Sequence, residues 1–169
     1  MAIAPWTEKV DTMATELTAT RREFHRIPEI GFEEERTSAL VAEKLRALGL
    51  EPRVGIGKTG VVALIDGAHP GRTLLMRADI DGLPIEEQTG LEYRSTHQNR
   101  MHACGHDTHI TMMLATAQVL LEQREHLHGR VKLVFQPAEE GLGGARAMIK
   151  DGVLDDPTVD AAIGCHIWN

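Results

Sequence analysis

Three short apolar runs in this chain each end in side chains that titrate or bind metals, and that arrangement narrows the folds open to it. The run from Arg72 to Ala78 leads into Asp79-Ile-Asp81-Gly-Leu-Pro84. Val131 to Phe135 leads into Gln136-Pro-Ala-Glu139-Glu140-Gly141, and Asp160 to Cys165 leads into His166. Runs of this length read as strands. Helical spacing lies around and between them. Val10, Met13, Ala14, Leu17 and Phe24 mark a helix from Glu8 that ends before Pro28; Leu40, Val41, Leu45 and Leu48 mark one over Glu33–Leu48, stopped by Gly49. A third helix runs from Thr108 to about Gln123, with Ile110, Met113, Leu114, Ala117 and Leu121 on one face, and a short fourth covers Gly143–Lys150. Gly60–Ile65 is a further strand, joined to Arg72–Arg77 by the turn Asp66–Gly71 as a hairpin or short loop, so this first pair can be antiparallel. Strands alternating with helices predict a three-layer α/β/α domain with a mostly parallel central sheet. Ligands of open α/β sheets bind beyond the carboxyl ends of the strands, so the three polar strand ends are expected to face one cleft.

Between these strands lies the densest chemical stretch, His102-Ala-Cys104-Gly-His106-Asp107-Thr-His109, with three imidazoles, a thiol and a carboxylate in eight residues. Thiolate and imidazole suit zinc, copper, nickel or iron, and carboxylate suits harder ions such as manganese. A tight turn at Gly105 can aim Cys104 and His106 at one point. Asp107 or Thr108 is placed to cap the following helix, and the helix start favours the Cys104 thiolate. The competing reading is a small closed structural site, or buried histidines bonded to backbone.

Glu139-Glu140 is the second informative element. Adjacent residues in extended chain point to opposite sides, so two neighbouring glutamates suit a division of labour: one binds a cation and the other handles the proton of activated water. The bland alternative is a solvated acidic pair. The following Gly141-Leu-Gly-Gly144 lacks the Lys-Ser/Thr ending of a phosphate loop. Asp79 and Asp81 fit as ligands, turn residues or carboxylates that orient a ligand histidine; the last suits Asp81 best. His25 reads as structural, His69, His126 and His128 as surface residues, and Cys165 as core. His97 carries no assignment.

Composition closes off other classes. The 169 residues suit one domain, and the net charge of -7, from 25 acidic and 18 basic residues, argues against nucleic-acid binding. Two cysteines and an amino terminus (Met1–Trp6) without a signal-peptide pattern point to a reduced, cytoplasmic setting. No apolar run is long enough to span a membrane.

With these residues in view, the sequence resembles the M20 family of metallopeptidases, and within it the amidohydrolase branch that cleaves hippurate and other N-acyl amino acids. Five segments carry the resemblance in order: Arg21–Glu29, Arg77–Pro84, Met101–Asp107, Phe135–Gly141 and Gly164–Trp168. It implies a zinc-peptidase-like catalytic domain with two divalent ions (Zn, Mn, Ni or Co). Cys104, His106, Glu140 and His166 match the ligands, Glu139 the general base and Asp81 the residue orienting the metal site. The implied reaction is hydrolysis of an amide between an acyl group and an amino acid, a small-molecule substrate. Family chains continue into a lid or dimerisation domain, which carries a further ligand histidine and supports a homodimer. Residues 1–169 therefore correspond to the amino-terminal part of the catalytic domain, and Asn169 stands where the family often has proline.

Overall fold

The computed structural model describes residues 6–168. Met1–Pro5 and Asn169, which entered the sequence reading as a start without a signal peptide and as a departure from the family pattern, lie outside the described residues. The order of elements is α1 (Trp6–His25), α2 (Glu35–Ala47), β1 (Arg53–Ile56), β2 (Gly60–Asp66), β3 (His69–Asp79), α3 (His106–Glu122), a 3₁₀ turn, β4 (His128–Gln136), α4 (Gly144–Lys150) and β5 (Ala161–Gly164). No helix among the described residues is long and apolar enough to cross a membrane.

The five strands form one sheet in the order β1-β2-β4-β3-β5. Alternate side chains of a strand face opposite sides, and the core divides accordingly. Val61, Ala63 and Ile65 of β2 and Val131, Leu133 and Phe135 of β4 meet Phe24, Val41, Leu45, Ile110, Met113, Leu114 and Ala117 of α1, α2 and α3. Val62, Leu75 and Val134 on the other face meet Met148 of α4 and Val153. The α/β/α layering is thus written in the strand alternation. Lys132 also points to the second face; it is 2% exposed, and its Nζ donates to the carbonyls of Val153 and Pro157 at 2.7 Å each. The buried ammonium thereby ties the α4–β5 connection to the sheet.

The sheet is mixed. β3 runs parallel to β4 and β5, whereas β2 is antiparallel to both β1 and β4. The turn after β2 is a short loop and not a hairpin: β2 and β3 are antiparallel in direction, but β4 lies between them. The chain makes this step by crossing over the start of β4. Gly67 N–H bonds to Gly129 O, and a Cβ on Gly129 (φ +85°) would lie 2.1 Å from Arg72 O, so only glycine fits beneath the crossing. The edge strand β5 is exposed on both faces, and Cys165 just after it is exposed where core was expected. Nothing among the described residues covers that edge. The carboxyl ends of β3, β4 and β5 share one side with the amino terminus of α3, and the candidate site is there.

Candidate metal centre

Gly105 sets the geometry. It adopts φ +87°, and a Cβ there would meet Ile167 Cδ1 at 2.3 Å, so the glycine serves both the turn and the approach of the segment following β5. Because the left-handed turn closes the helix early, α3 begins at His106, and no side chain caps it. The N-cap position falls to Gly105 rather than to Asp107 or Thr108, but Asp107 still serves the helix start: its Oδ1 accepts the Thr108 N–H at 2.9 Å while its Oδ2 meets His25.

His106 is fully buried. Its Nδ1 donates to the Asp81 carbonyl at 2.9 Å, which leaves Nε2 as the free nitrogen. That nitrogen has no hydrogen-bond partner and faces Asp79 Oδ1 at 3.6 Å, Glu139 Oε2 at 3.8 Å and Glu140 Oε1 at 3.9 Å. Burial alone would lower the His106 pKa, but Asp81 and the charge of Asp79 raise it above 6.5. The surroundings demand positive charge, which a proton or a divalent cation supplies. His166 presents Nε2 3.4 Å from Cys104 Sγ, while its Nδ1 lies against the Ile167 carbonyl. The ligand atoms of Cys104, His106 and His166 all lie within 4.8 Å of one another, as do those of His106, Glu139 and Glu140. Sulfur, imidazole and carboxylate on one buried imidazole make a donor set suited to first-row divalent ions. With only protein groups around it, the Cys104 thiol is pushed up to about 11 by burial and then by Glu140, Asp79 and Glu139. The carboxylates outweigh the helix start that was expected to favour thiolate.

Asp81 braces two of these groups. Besides its carbonyl on His106, its Oδ2 accepts the Glu140 N–H at 3.0 Å. Burial would raise its pKa, yet His106 and the Glu140 and Glu139 amides lower it. The six candidate residues from the sequence, Asp81, Cys104, His106, Glu139, Glu140 and His166, therefore gather at one end of the sheet.

His109 was missed. It is 3% exposed, and its Nδ1 meets Asp79 Oδ1 at 2.5 Å while Nε2 accepts the Ile167 N–H at 3.0 Å. With both nitrogens engaged, it holds the backbone next to His166; Asp79 is further paired with Arg77 at 2.7 Å. Its place three residues after His106, hence on the same helix face, was the available signal.

A second cluster lies beside the first. Asp107 Oδ2 accepts from His25 Nδ1 at 2.7 Å and forms an ion pair with Arg21 Nε at 2.7 Å, and His25 Nε2 meets Glu87 Oε1 at 3.2 Å. His25 is buried with carboxylates on both nitrogens, in keeping with a structural role. His102, between the clusters, is buried, and burial first of all pushes its pKa down to about 4. His97 joins loops by bonding Pro28 O and Arg36, and His69, His126 and His128 are exposed as expected.

Known proteins similar to this chain identify its family. Residues 75–169, over half the chain, match the model of peptidase family M20/M25/M40. The chain is 49% identical over 150 residues to thermostable carboxypeptidase 1 of Saccharolobus solfataricus, covering 87% of this chain and 38% of that protein. It is 46% identical over 151 residues to hippurate hydrolase of Campylobacter jejuni (89% and 39%), and 45% over 157 residues to N-acetyl-L-cysteine deacetylase of Bacillus subtilis (93% and 37%). The chain thus spans well under half the length of these relatives. Among solved structures, the Bacillus subtilis YXEP protein, described as a dinuclear metal binding peptidase, superposes with a TM-score of 0.88 at 40% identity, over 94% of this chain and 44% of that one. A family match over the strand ends and the helix start that build the centre leads to one conclusion: the chain belongs to peptidase family M20/M25/M40.

Proposed function

We propose that the protein hydrolyses the amide bond of N-acyl amino acids, hippurate-like or N-acetyl substrates, at a site for two divalent ions. Residues 1–169 form the amino-terminal part of its catalytic domain in this reading. Cys104, His106, Glu140 and His166 hold the ions, which supply Lewis acidity toward a carbonyl oxygen and toward water. Glu139, left free on the open side of the cluster, accepts the proton of the attacking water and returns it to the leaving amine. Asp81 keeps His106 and the Glu140 backbone in register, and His109 does the same for the segment bearing His166. The observation that carries the reading is the buried His106 Nε2, partnerless and facing three carboxylates. Relatives named for hydrolysing hippurate and for deacetylating N-acetyl-L-cysteine support the substrate class.

The test uses the complete enzyme on hippurate and N-acetyl amino acids. Chelation abolishes turnover, and Mn, Co, Ni or Zn restores it. Glu139→Gln lowers kcat by about 10²–10⁴ with metal content unchanged; undiminished turnover would reject Glu139 as the base. The 3.4 Å thiol–imidazole pair of Cys104 and His166 also suggests a cysteine hydrolase. Such an enzyme ignores the chelator and is inactivated by a thiol alkylator. Metal binding without turnover would leave a non-catalytic metal-binding protein.

A further inference from the structure

We propose that Glu34 is a positioning residue for the Glu139–Glu140 turn, holding the Ala138 amide from the far side of the domain. The proposal rests on the reading of Glu140 as a ligand and Glu139 as the base. Glu34 stands at the start of α2 and is fully buried. A buried carboxylate is retained only where donors satisfy it. Its Oε1 accepts the Ala138 N–H at 2.8 Å, across 104 residues of chain, and its Oε2 accepts the Thr59 hydroxyl. No ion pair among the described residues includes it.

The carboxylate is not spent on its own helix. α2 has no side-chain cap bond from Glu34. That work falls to Glu29, whose oxygens accept Arg36 N–H at 3.2 Å and Thr37 N–H and hydroxyl at 2.8 Å each. Glu34 is therefore free to act at a distance.

What it holds needs holding. Ala138 sits at φ +51°, a left-handed conformation that alanine disfavours and that persists only when its surroundings over-determine it. The bed beneath it is close-fitting: a Cβ on Gly31 would lie 2.8 Å from Ala138 Cα, and Ala138 O accepts the Gly144 N–H at 3.0 Å. One residue past Glu139, the Glu140 N–H is bound to Asp81 Oδ2. Two buried carboxylates thus grip the amides on either side of Glu139, Asp81 from β3 and Glu34 from α2. Only one of the two, Asp81, also touches a candidate ligand side chain.

Cobalt(II) titration of this 169-residue chain tests the proposal, read from the thiolate-to-cobalt charge-transfer band and the d–d bands. Wild type binds, and Cys104→Ala loses the charge-transfer band; no bands in wild type would sink the metal reading and this inference with it. Glu34→Ala weakens cobalt affinity about 10–100-fold, the range for groups that orient a ligand. Glu34→Gln, which keeps a carbonyl acceptor for Ala138, restores it to within about threefold. Glu29→Ala lowers the melting temperature and leaves affinity unchanged. In a Glu140→Ala background, Glu34→Ala has no further effect on affinity. If Glu34→Ala does not fold, Thr59→Val, which removes one anchor of the carboxylate, gives a smaller loss in the same direction. Wild-type affinity in a folded Glu34→Ala or Thr59→Val chain, or equal losses from Glu29→Ala, would overturn the assignment.

Discussion

Two histidine–carboxylate clusters flank the first turn of α3, one on each side, and they are built from neighbouring residues. Asp107 belongs to a set in which every charge has its counterpart: Arg21 and His25 face Asp107 and Glu87, and Glu87 also accepts the Ser95 N–H at 2.6 Å. His106 belongs to a set that is deliberately incomplete. Glu139 and Glu140 have no Lys or Arg partner among the described ion pairs, Arg77 pairs with Asp79 and donates to Gln136, and His106 Nε2 is left over. A buried polar group without a partner costs about 1–3 kcal/mol, so its survival in a native centre asks for a ligand. The same residue types make a structural knot where carboxylates are matched by cations and a candidate binding site where they are not.

The contrast can be broken by exchanging roles. His25→Ala leaves Glu87 buried without its cation and Asp107 with Arg21 alone, and should cost about 3–5 kcal/mol in denaturant unfolding, with cobalt affinity near wild type. His106→Ala should do the reverse, lowering cobalt affinity on the order of a hundredfold with a smaller change in stability. If both variants lost metal equally, the clusters would be one unit. His109→Ala, which frees the Ile167 amide but touches no assigned ion, should weaken metal binding about tenfold.

The smallest effect is a pH dependence confined to the saturated cluster. Burial alone would lower the His25 pKa, but its bonds to Asp107 and Glu87 raise it above 6.5. The stability His25 contributes is then complete below pH 6.5 and fades as pH rises through its folded pKa. Burial would raise Asp107 and Glu87, yet for Asp107 the bond and charge of His25, with His102 and Arg21, lower it, and for Glu87 the Ser95 amide, Thr89 and His25 do so. Their contribution is present above the ordinary carboxylate range and is lost in acid. Unfolding at several pH values should show the gap between wild type and His25→Ala narrowing on the alkaline side; a gap that narrowed on the acid side instead would mean that folded His25 is neutral.

Much of this was legible in the chain because it is local. The apolar face Ile110, Met113, Leu114 and Ala117 is buried as the spacing indicated, and the strand ends at Asp79, Glu139 and His166 do converge. What escaped depends on partners distant in sequence. Nothing near residue 34 signals that its carboxylate serves residue 138, and nothing near residue 66 signals that β4 enters between β2 and β3. The short strand β1, with an exposed Val54 and a glycine, lacks the apolar alternation by which strands are found. Cys165 read as core because a strand was assumed to be covered on both faces.

The crossing of the β2–β3 connection over Gly129 bears on how the molecule assembles. β2 and β3 share no hydrogen bonds; they are joined to one another only through β4, which follows nearly fifty residues after β3 ends. During synthesis both strands leave the ribosome before the strand that will bridge them, each with the edge that will face β4 unsatisfied. Such non-local closure is slow and exposed to aggregation. The nascent chain up to the end of α3 is therefore the stage at which a chaperone has most to protect.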